Sequence, residues 1–472
     1  MSRLILVSNR LPVTVHNVSG VLRIEKSVGG LATGLREPHE RSGGLWVGWP
    51  GPTDTFSDAL RGQLHERLAE IGTVPVHLSR SDIAQFYETF SNGVLWPLFH
   101  YNPGQIPLRV EGWESYCSVN RRFADRVAEL YRPGDTIWVH DYQLMLVPAL
   151  LRQRIPDARI GFFLHIPFPS SEMFATLPHR ETLLRGPLGA DVIGFHTAWY
   201  VKHFRASVER ILGYNTTDSQ IEMHDRTIQV GVFPIGIDAQ HFEQAAKAPA
   251  VEAEVRQLRR EAERILVGID RLDYTKGIPR RLLAFEDLLR YRPEWRERVR
   301  LIQVAVPSRT GVRAYRKFGN EVNAIVGSIN GAFGTPHWQP VHYVYRSIPE
   351  HQMLALYRAA DAMLVTPVRD GMNLVAKEFL ASRSDEDGVL ILSEFAGGAA
   401  QLSDALVVNP FDIGATANAY HQALMMPRDE RRVRIRRLRE TVQRHDVHWW
   451  VSQFIGALNP EVIGEKALVE AS

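Results

Sequence analysis

Two cationic side chains suited to binding an anion follow an apolar run in the C-terminal half. The run RILVGID at 264–270 reads as a buried strand, and Arg271 and Lys276 follow it within RLDYTKG. Arginine can donate two parallel hydrogen bonds to phosphate oxygens, and lysine supplies a mobile point charge. These residues predict a diphosphate site just past the carboxyl end of the strand, although a surface ion pair would have the same local sequence.

A second polar group follows the run AMLVTP at 362–367 and leads into a helix. Asp370 and Gly371 come first, and the helical pattern begins at about Asn373. Free N–H groups at a helix N-terminus favour phosphate or hydroxyl groups, and glycine lets a ligand approach the backbone. Asp370 could accept hydrogen bonds from hexose hydroxyls and Glu378 from a ribose. Alternatively, Asp370 is an N-cap and Glu378 pairs with an arginine.

The N-terminal half has weaker signals at its predicted strand ends. Asp141 follows the run TIWVH, and His165 ends the run RIGFFLH. Buried polar groups need hydrogen-bond partners, so each residue is either satisfied in the core or faces a ligand. An isolated His165 would be read as a core histidine, but Asp141 at the neighbouring strand end favours a cleft. Gly29 and Gly30 precede a predicted helix, which is a weak signal because many turns share that sequence.

The segment FYETFSNGVLWPLFHY is unusually aromatic. Tyr87 and Trp96 could line a sugar pocket, because aromatic rings cover the apolar faces of a pyranose. The same rings could equally belong to the core, and core is the preferred interpretation for Phe86, Phe90 and Phe99.

Short apolar runs alternate with amphipathic helices along the whole chain. Strands are predicted at 4–9, 136–141, 159–165, 191–196, 227–234, 264–270, 300–306, 342–346, 362–367, 389–395 and 405–410. Helices are predicted at 114–131, 143–154, 279–291, 312–327 and 349–359. The strands are apolar almost throughout, as parallel strands covered on both faces are. Repeated strand–helix–strand units predict doubly wound α/β layers.

A chain of 472 residues usually exceeds one hydrophobic core, so two domains are expected. A strand ending at Pro234 precedes an alanine-rich polar segment, which places a hinge near 236–250. The predicted Rossmann-like domains are 1–236 and 237–454, and a helix at about 455–472 packs back on the first. Ligands of such sheets bind at the carboxyl ends of the strands.

The composition excludes several classes of function. The formal net charge of +2 gives no global field to hold nucleic acid or an anionic membrane. Cys117 is the single cysteine, so no intrachain disulfide forms and a reducing compartment fits. No apolar stretch reaches about 18 residues, and the short apolar run at the N-terminus does not predict a signal peptide. A soluble cytoplasmic protein is expected.

Two further motifs are assigned no chemistry. The segment SDEDG at 384–388 contains an Asp-x-Asp that could suggest a metal site, but a solvated loop is the preferred interpretation. A dehydrogenase is disfavoured because no predicted strand is followed by G-x-G-x-x-G.

The order of the motifs resembles that of the trehalose-6-phosphate synthases, the OtsA-type retaining glucosyltransferases of family 20. The similarity runs from residue 3 to about 455 and is carried by SNRLP, GGLATGL, FSNGVLWPLFHY, VHDYQLMLVP, GFFLHIPFPS, PIGID, RLDYTKG, PSRTGVRAY, TPVRDGMNLVAKEF and LSEFAGGAAQL. The resemblance implies a GT-B fold, in which two facing Rossmann-like domains hold the active site in the cleft between them. The N-terminal domain would bind the acceptor and the C-terminal domain the nucleotide sugar.

The resemblance also implies the reaction. Glucose would pass from UDP-glucose to glucose 6-phosphate, giving α,α-trehalose 6-phosphate and UDP, with no cofactor and no metal. Both substrates are small molecules, and a homo-oligomer is expected. The departing phosphate would take the acceptor's proton in a front-face transfer. Alternatives are a related transferase with another donor base or acceptor, and a catalytically silent sugar-phosphate sensor, which the complete donor set disfavours.

Site residues follow from the resemblance position by position. The diphosphate would contact Arg271 and Lys276, and Glu378 the ribose. The remaining donor-site residues would be Gly29, Gly30, Asp370, Gly371, Met372, Asn373, Leu374 and Val375. The acceptor would be bound by Arg10, Tyr87, Trp96, Asp141 and Arg309. The residues expected to act in catalysis are Asp141, His165, Arg271, Lys276 and Asp370.

Overall fold

The computed structural model of the chain describes residues 3–18, 21–26, 34–36, 39–40, 42–53, 56–309 and 313–459. The chain forms two compact units. It passes from the first unit to the second after Pro234 and returns to the first at Val447. The predicted boundary after residue 236 lies close to this change. The returning helix begins at Val447, whereas the sequence placed a returning helix at about 455–472, most of which lies outside the described residues.

The predicted hinge at 236–250 is mostly helical. Its residues form the helix Ala239–Ala245 and the start of the helix Pro249–Glu261. Alanine has the highest helix propensity, and the Asp238 side chain caps the first of these helices by accepting from the His241 N–H. Helix propensity therefore makes this segment helical, and the chain passes from the first unit to the second before this segment begins.

The first unit contains ten strands in its described part. They are β1 (Leu4–Arg10), β2 (Val13–Val18), β3 (Val21–Lys26), β4 (Leu45–Trp49), β5 (Thr73–Pro75), β6 (Thr136–His140), β7 (Arg159–Phe163), β8 (Val192–Phe195), β9 (Gln220–Glu222) and β10 (Thr227–Val232). Eight of them form one sheet in the order β5-β4-β1-β6-β7-β8-β10-β9. All neighbours are parallel except β9 and β10, and β2 and β3 form a separate hairpin.

The helices of the first unit cover its sheet. They are Asp58–Glu70, Arg80–Asp82, the π-helix Ile83–Leu95, Trp96–Phe99, Trp113–Leu130, Val147–Arg154, Ser171–Phe174, Arg180–Arg185, Ala198–Leu212 and Val447–Leu458. Short 3-10 turns lie at Pro103–Gln105, Tyr142–Leu144 and Pro187–Gly189. The predicted helix at 143–154 is thus divided, and Pro148 lies in the first turn of its α-helical part, where proline is favoured.

The second unit has six parallel strands in its described part. They are β11 (Arg264–Arg271), β12 (Val299–Val306), β13 (Val341–Val344), β14 (Ala362–Val365), β15 (Val389–Ser393) and β16 (Leu406–Val408), in the order β13-β12-β11-β14-β15-β16. The helices are Ala239–Ala245, Pro249–Glu261, Ile278–Tyr291, Arg313–Phe333, Glu350–Ala359, Leu374–Ser382, Ile413–Met425 and Arg428–Arg444. Short 3-10 turns lie at Tyr274–Lys276, Pro293–Trp295 and Gly397–Ala400.

Both sheets have a switch point, where the chain stops adding strands on one side and continues on the other. In the first unit it lies between β1 and β6, and in the second between β11 and β14. Helix ends and strand ends diverge there and leave a crevice, which is the usual ligand site of open α/β sheets. Each predicted strand is present, but the order of the strands, which fixes the switch points, was not predicted.

The returning helix Val447–Leu458 completes the core of the first unit. Trp450 and Phe454 are fully buried, and the Phe454 ring stacks on Trp138 of β6 with 4.4 Å between centroids. Gly161 of β7 leaves room for that ring, because a Cβ there would lie 2.6 Å from Phe454. In the residues that the structure describes, no helix is both long and apolar enough to cross a bilayer.

Candidate active site

An ion pair lies at the switch point of the second unit. Lys276 Nζ contacts Asp370 Oδ2, and the two side chains are only 12% and 15% exposed. Asp370 Oδ1 accepts from the Gly371 N–H at 2.9 Å, and Oδ2 also accepts from the Asn373 amide at 3.0 Å. The cation predicted for the diphosphate thus pairs with the carboxylate predicted for the hexose. Arg271 lies exposed at the end of β11.

The helix that follows this carboxylate begins where the sequence predicts. Its N-cap is Asn373, in a left-handed conformation with φ 69°, and the helix spans Leu374–Ser382. Asp370 is therefore not the N-cap. The N–H groups of the first turn, including those of Leu374 and Val375, have no partner within the helix. Asn373 Oδ1 is buried and accepts no hydrogen bond from the described residues, which suits a ligand hydroxyl.

Gly397 and Gly398, within the motif LSEFAGGAAQL, shape the loop before this helix. A Cβ on Gly397 would lie 1.8 Å from the Gly371 carbonyl oxygen, and one on Gly398 would lie 2.9 Å from that of Met372. The N–H groups of Gly397 and Gly398 donate to the carbonyls of Asp370 and Met372 at 3.2 and 2.9 Å. The pair Gly-Gly is thus required for close backbone packing beneath the predicted hexose site.

A buried arginine joins the ends of β11 and β14. The Arg281 side chain is fully buried, pairs with Asp270 and donates to Thr366 Oγ1 at 3.0 Å and Gln303 Oε1 at 2.9 Å. Burial raises the pKa of Asp270, although the Arg281 charge opposes this. Gly268 leaves space for the guanidinium, since a Cβ there would lie 2.5 Å from it. Sequence reasoning missed Arg281, which lies on a helix face that reads as amphipathic.

Glu378 pairs with a tyrosine. Its Oε2 accepts from the Tyr357 hydroxyl at 2.8 Å, so the predicted alternative of an arginine partner is wrong. Burial raises the pKa of Glu378, and the Tyr357 hydrogen bond acts in the opposite direction.

Arg309 lies in the second unit, close to the strand end of β12. Its guanidinium donates to Asp273 Oδ2 at 3.2 Å, and the Tyr315 hydroxyl donates to the same oxygen at 3.1 Å. Burial alone would raise the pKa of Asp273, but the charges of Arg309 and Arg271 bring it below its ordinary value. Arg10 and Tyr87 lie in the first unit, so a phosphate site shared by all three stays a prediction.

In the first unit, Asp141 and His165 lie together as predicted. Asp141 Oδ1 accepts from the His165 backbone N–H at 3.2 Å. Asp141 has φ 75° and ψ 169°, a conformation essentially restricted to glycine and usually found at functional sites. His165 Nε2 lies 3.1 Å from His140 Nδ1, in hydrogen-bond contact. Burial, and to a lesser extent the nearby His140 and His196, lowers the pKa of His165 well below its ordinary value. His165 is therefore neutral near pH 7.

A cation and two rings cluster beside β1. The Arg10 guanidinium carbon lies 4.1 Å from the centre of the Trp49 ring, and the Trp49 and Tyr87 centroids are 6.3 Å apart. No acidic side chain of the described residues pairs with Arg10, so the Arg10 guanidinium can bind an anion. Trp49 was missed because its strand β4 was not predicted, and pairing of β4 with β1 places Trp49 opposite Arg10.

Four other aromatic residues of the segment FYETFSNGVLWPLFHY lie in the core. Phe86, Phe90 and Phe99 are fully buried, as predicted. Trp96 is 5% exposed and lies against His100, with 4.1 Å between the ring centroids. Its contact with an acceptor sugar stays a prediction. Gly29 and Gly30 lie outside the described residues.

The acidic loop at 384–388 is bound to arginines. Asp385 pairs with Arg383, Asp387 with Arg431, and Glu386 with Arg432 and Arg436. Across the described ranges, no group of three or more histidine, cysteine, aspartate or glutamate side chains is arranged to hold a metal ion.

The comparison with protein families covers nearly the whole chain. Residues 2–460 match the model of glycosyltransferase family 20. The chain belongs to this family. The predicted family resemblance is therefore confirmed.

Curated relatives of this family-20 chain share 43–47% identity with it. An α,α-trehalose-phosphate synthase (UDP-forming) A from Dictyostelium discoideum is 45% identical over 97% of the chain and 62% of its own length. A bifunctional trehalose-6-phosphate synthase/phosphatase from Thermoproteus tenax is 47% identical over 97% and 63%. The chain thus spans less than two thirds of these two relatives. An α,α-trehalose-phosphate synthase (UDP-forming) 2 from Aspergillus niger is 43% identical over 97% of both chains.

Solved structures of the same kind resemble the chain over most of its length. An α,α-trehalose-phosphate synthase (UDP-forming) from Burkholderia xenovorans in complex with glucose-6-phosphate has TM-score 0.86 and 34% identity, covering 97% of this chain and 100% of that one. A structure from E. coli bound with UDP-2-fluoro glucose has TM-score 0.86 and 34% identity, covering 97% and 99%. The predicted α/β class, with two Rossmann-like units of GT-B type, is confirmed.

The close packing at Gly397 predicts a specific loss of stability. Gly397→Ala forces the Gly371 carbonyl to move, and we expect the free energy of unfolding to fall by about 1–3 kcal/mol, as for other overpacked sites. Urea unfolding followed by circular dichroism measures this change.

Gly327→Ala is the matched control within the same unit. Gly327 lies in the helix Arg313–Phe333, and a Cβ there meets nothing within 4 Å. Alanine should therefore stabilise this helix by about 0.5–1 kcal/mol. Equal stability of the two variants would contradict the packing argument.

Proposed function

We propose that this family-20 chain transfers glucose from UDP-glucose to glucose 6-phosphate, forming α,α-trehalose 6-phosphate and UDP. The observation that carries the proposal is the largely buried Lys276–Asp370 pair beside a helix N-terminus. A diphosphate needs cations and free N–H groups, and a hexose needs carboxylate and amide acceptors. The names of the relatives and the ligands of the similar solved structures support the same reaction.

The second unit is proposed to bind the nucleotide sugar. Lys276 has three N–H donors, of which one is directed to Asp370, leaving two for phosphate oxygens. Arg271 supplies a second cation at the same strand end. The backbone of Gly371, Met372 and Asn373 would contact the transferred glucose, and the first turn of the helix, at Leu374 and Val375, the distal phosphate.

The first unit is proposed to bind glucose 6-phosphate. Arg10 is held over Trp49 without a carboxylate partner among the described residues, so a phosphate would complete its hydrogen bonds. Tyr87 also contacts this indole, with 6.3 Å between the ring centroids. Asp141 and the neutral His165 would orient sugar hydroxyls at the reacting centre, since Asp141 follows β6 at the switch point and accepts from the backbone N–H of His165, which follows the neighbouring β7.

We further propose retention of anomeric configuration without a metal. Breaking the sugar–phosphate bond places negative charge on the leaving oxygen, which Arg271, Lys276 and the helix N-terminus would stabilise. The leaving phosphate would then take the proton of the attacking hydroxyl on the same face of the sugar. Asp141 is hydrogen-bonded to the His165 backbone and is proposed to orient hydroxyls, not to attack.

A panel of substrates tests the reaction. UDP-, ADP- and GDP-glucose are each incubated with glucose 6-phosphate or with unphosphorylated glucose, and released nucleotide and product mass are measured. We expect a disaccharide phosphate from glucose 6-phosphate and UDP-glucose. Product from another donor or from free glucose would identify a related transferase, and absence of turnover with every pair would favour a sugar-phosphate sensor.

Lys276→Ala tests the proposed cation. Loss of one preorganised charge donor should lower kcat by at least about a hundredfold. Lys247→Ala is the control, because Lys247 is exposed and, among the described residues, pairs only with Glu243, four positions earlier in the chain. Steady-state kinetics and the melting temperature of both variants are compared with those of the unmodified chain. Near-normal turnover of a folded Lys276→Ala variant would remove Lys276 from this role.

Chelation tests the proposed independence of metal. Turnover in excess EDTA should stay within about twofold of the untreated rate, because protein cations alone are proposed to stabilise the leaving group. Loss of activity that returns with added Mg²⁺ would show that a divalent ion takes part.

A further inference from the structure

The hydrogen bond between Tyr357 and Glu378 connects two helices of the second unit. Tyr357 lies in Glu350–Ala359 and is fully buried, while Glu378 lies in Leu374–Ser382 and is half-buried. The Tyr357 hydroxyl donates to Oε2 at 2.8 Å. Within the described chain no other donor reaches this carboxylate, so Oε1 keeps its capacity to accept.

The same two helices are joined again beyond this contact. Arg383 follows the helix of Glu378, and its Nη1 donates to the carbonyls of Tyr357, Arg358 and Ala360 at 2.8–2.9 Å. These carbonyls belong to the C-terminal turn of the Tyr357 helix, where the last groups lack partners within the helix. The Tyr357 backbone is thus fixed independently of its hydroxyl. Removing that hydroxyl leaves the helix pairing in place.

We propose that Tyr357 is a positioning residue that holds the Glu378 carboxylate for the ribose hydroxyls of the nucleotide. This inference rests on the proposed function, which assigns the ribose to Glu378. A glutamate side chain has several rotamers, and ordering it costs conformational entropy on binding. A buried donor that already fixes one oxygen reduces that cost and leaves Oε1 able to accept from the ligand.

A purely structural role for Tyr357 makes a different prediction. Loss of packing would weaken the binding of any nucleotide. Loss of a positioned carboxylate would weaken the binding only of nucleotides that carry ribose hydroxyls. Comparison of UDP with 2′,3′-dideoxy-UDP separates the two roles, because both ligands share base and diphosphate.

The experiment measures Kd by calorimetry for both ligands with wild type, Tyr357→Phe, Glu378→Gln and the double variant. Hydrogen bonds to a charged group justify an expected wild-type preference for UDP of at least about tenfold. Tyr357→Phe should reduce this preference about tenfold and leave the Kd of the dideoxy ligand unchanged. Since Tyr357 acts through Glu378, the double variant should show the same preference as Glu378→Gln alone.

Tyr420→Phe is the matched control. Tyr420 is also fully buried in the second unit, and its hydroxyl makes one long hydrogen bond of 3.5 Å to the Arg281 carbonyl. This variant should keep the full preference for UDP, and melting temperatures check that all variants fold.

Two outcomes overturn the proposal in distinguishable ways. If Tyr357→Phe loses the same affinity for both ligands, or loses affinity for neither, Tyr357 has no role in ribose binding, while the proposed reaction stands. An unchanged preference in Glu378→Gln overturns the ribose assignment as well. Failure of wild type to bind UDP would overturn the proposed function itself.

Discussion

The site at the switch point of the second unit depends on one interaction, the ion pair between Lys276 and Asp370. It joins loops that follow two neighbouring parallel strands, and both charges are largely removed from water. Such a pair is stable only when further hydrogen bonds offset the loss of solvation. The Gly371 N–H and the Asn373 amide supply them. The ammonium group is thereby fixed relative to the helix N-terminus before any ligand binds.

A second layer of contacts holds these loops in place. Arg281 binds side chains from β11, β12 and the segment after β14, so the strand ends cannot separate without exposing a buried charge. On the other side, the backbone of Gly397 packs directly on Gly371. Because Arg281 donates to buried acceptors on several strands at once, these contacts make the strand ends rigid. The buried Asn373 Oδ1 accepts no hydrogen bond from the described residues, so it keeps an acceptor for the proposed ligand.

Much of this arrangement could be predicted from the sequence. Strands buried on both faces are apolar throughout, so their ends, and with them Asp141, Lys276 and Asp370, could be located. Contacts between distant segments could not. The partner of Glu378 lies on another helix, and the glycine-like conformation of Asp141 leaves no mark in the residue type.

Elements with short or polar patterns were missed for similar reasons. Strand β4 spans only Leu45–Trp49, and the hairpin of β2 and β3 contains polar residues on both strands. The π-helix Ile83–Leu95 has no distinct periodic signature at this length. The return of the chain at Val447 depends on which core accepts Trp450 and Phe454, which is a property of the assembled sheet.

That return has a consequence for how the protein is made. The last strand of the first sheet ends at Val232, yet Phe454, which covers Trp138 and Phe163, is synthesised after the whole second unit. At ribosomal speeds of about 5–20 residues per second, the interval is on the order of 10–40 s. During translation the second unit can therefore reach its native state first. Until then the earlier half of the nascent chain exposes the aromatic surface of Trp138 and Phe163, and exposed surface of this kind is prone to aggregation.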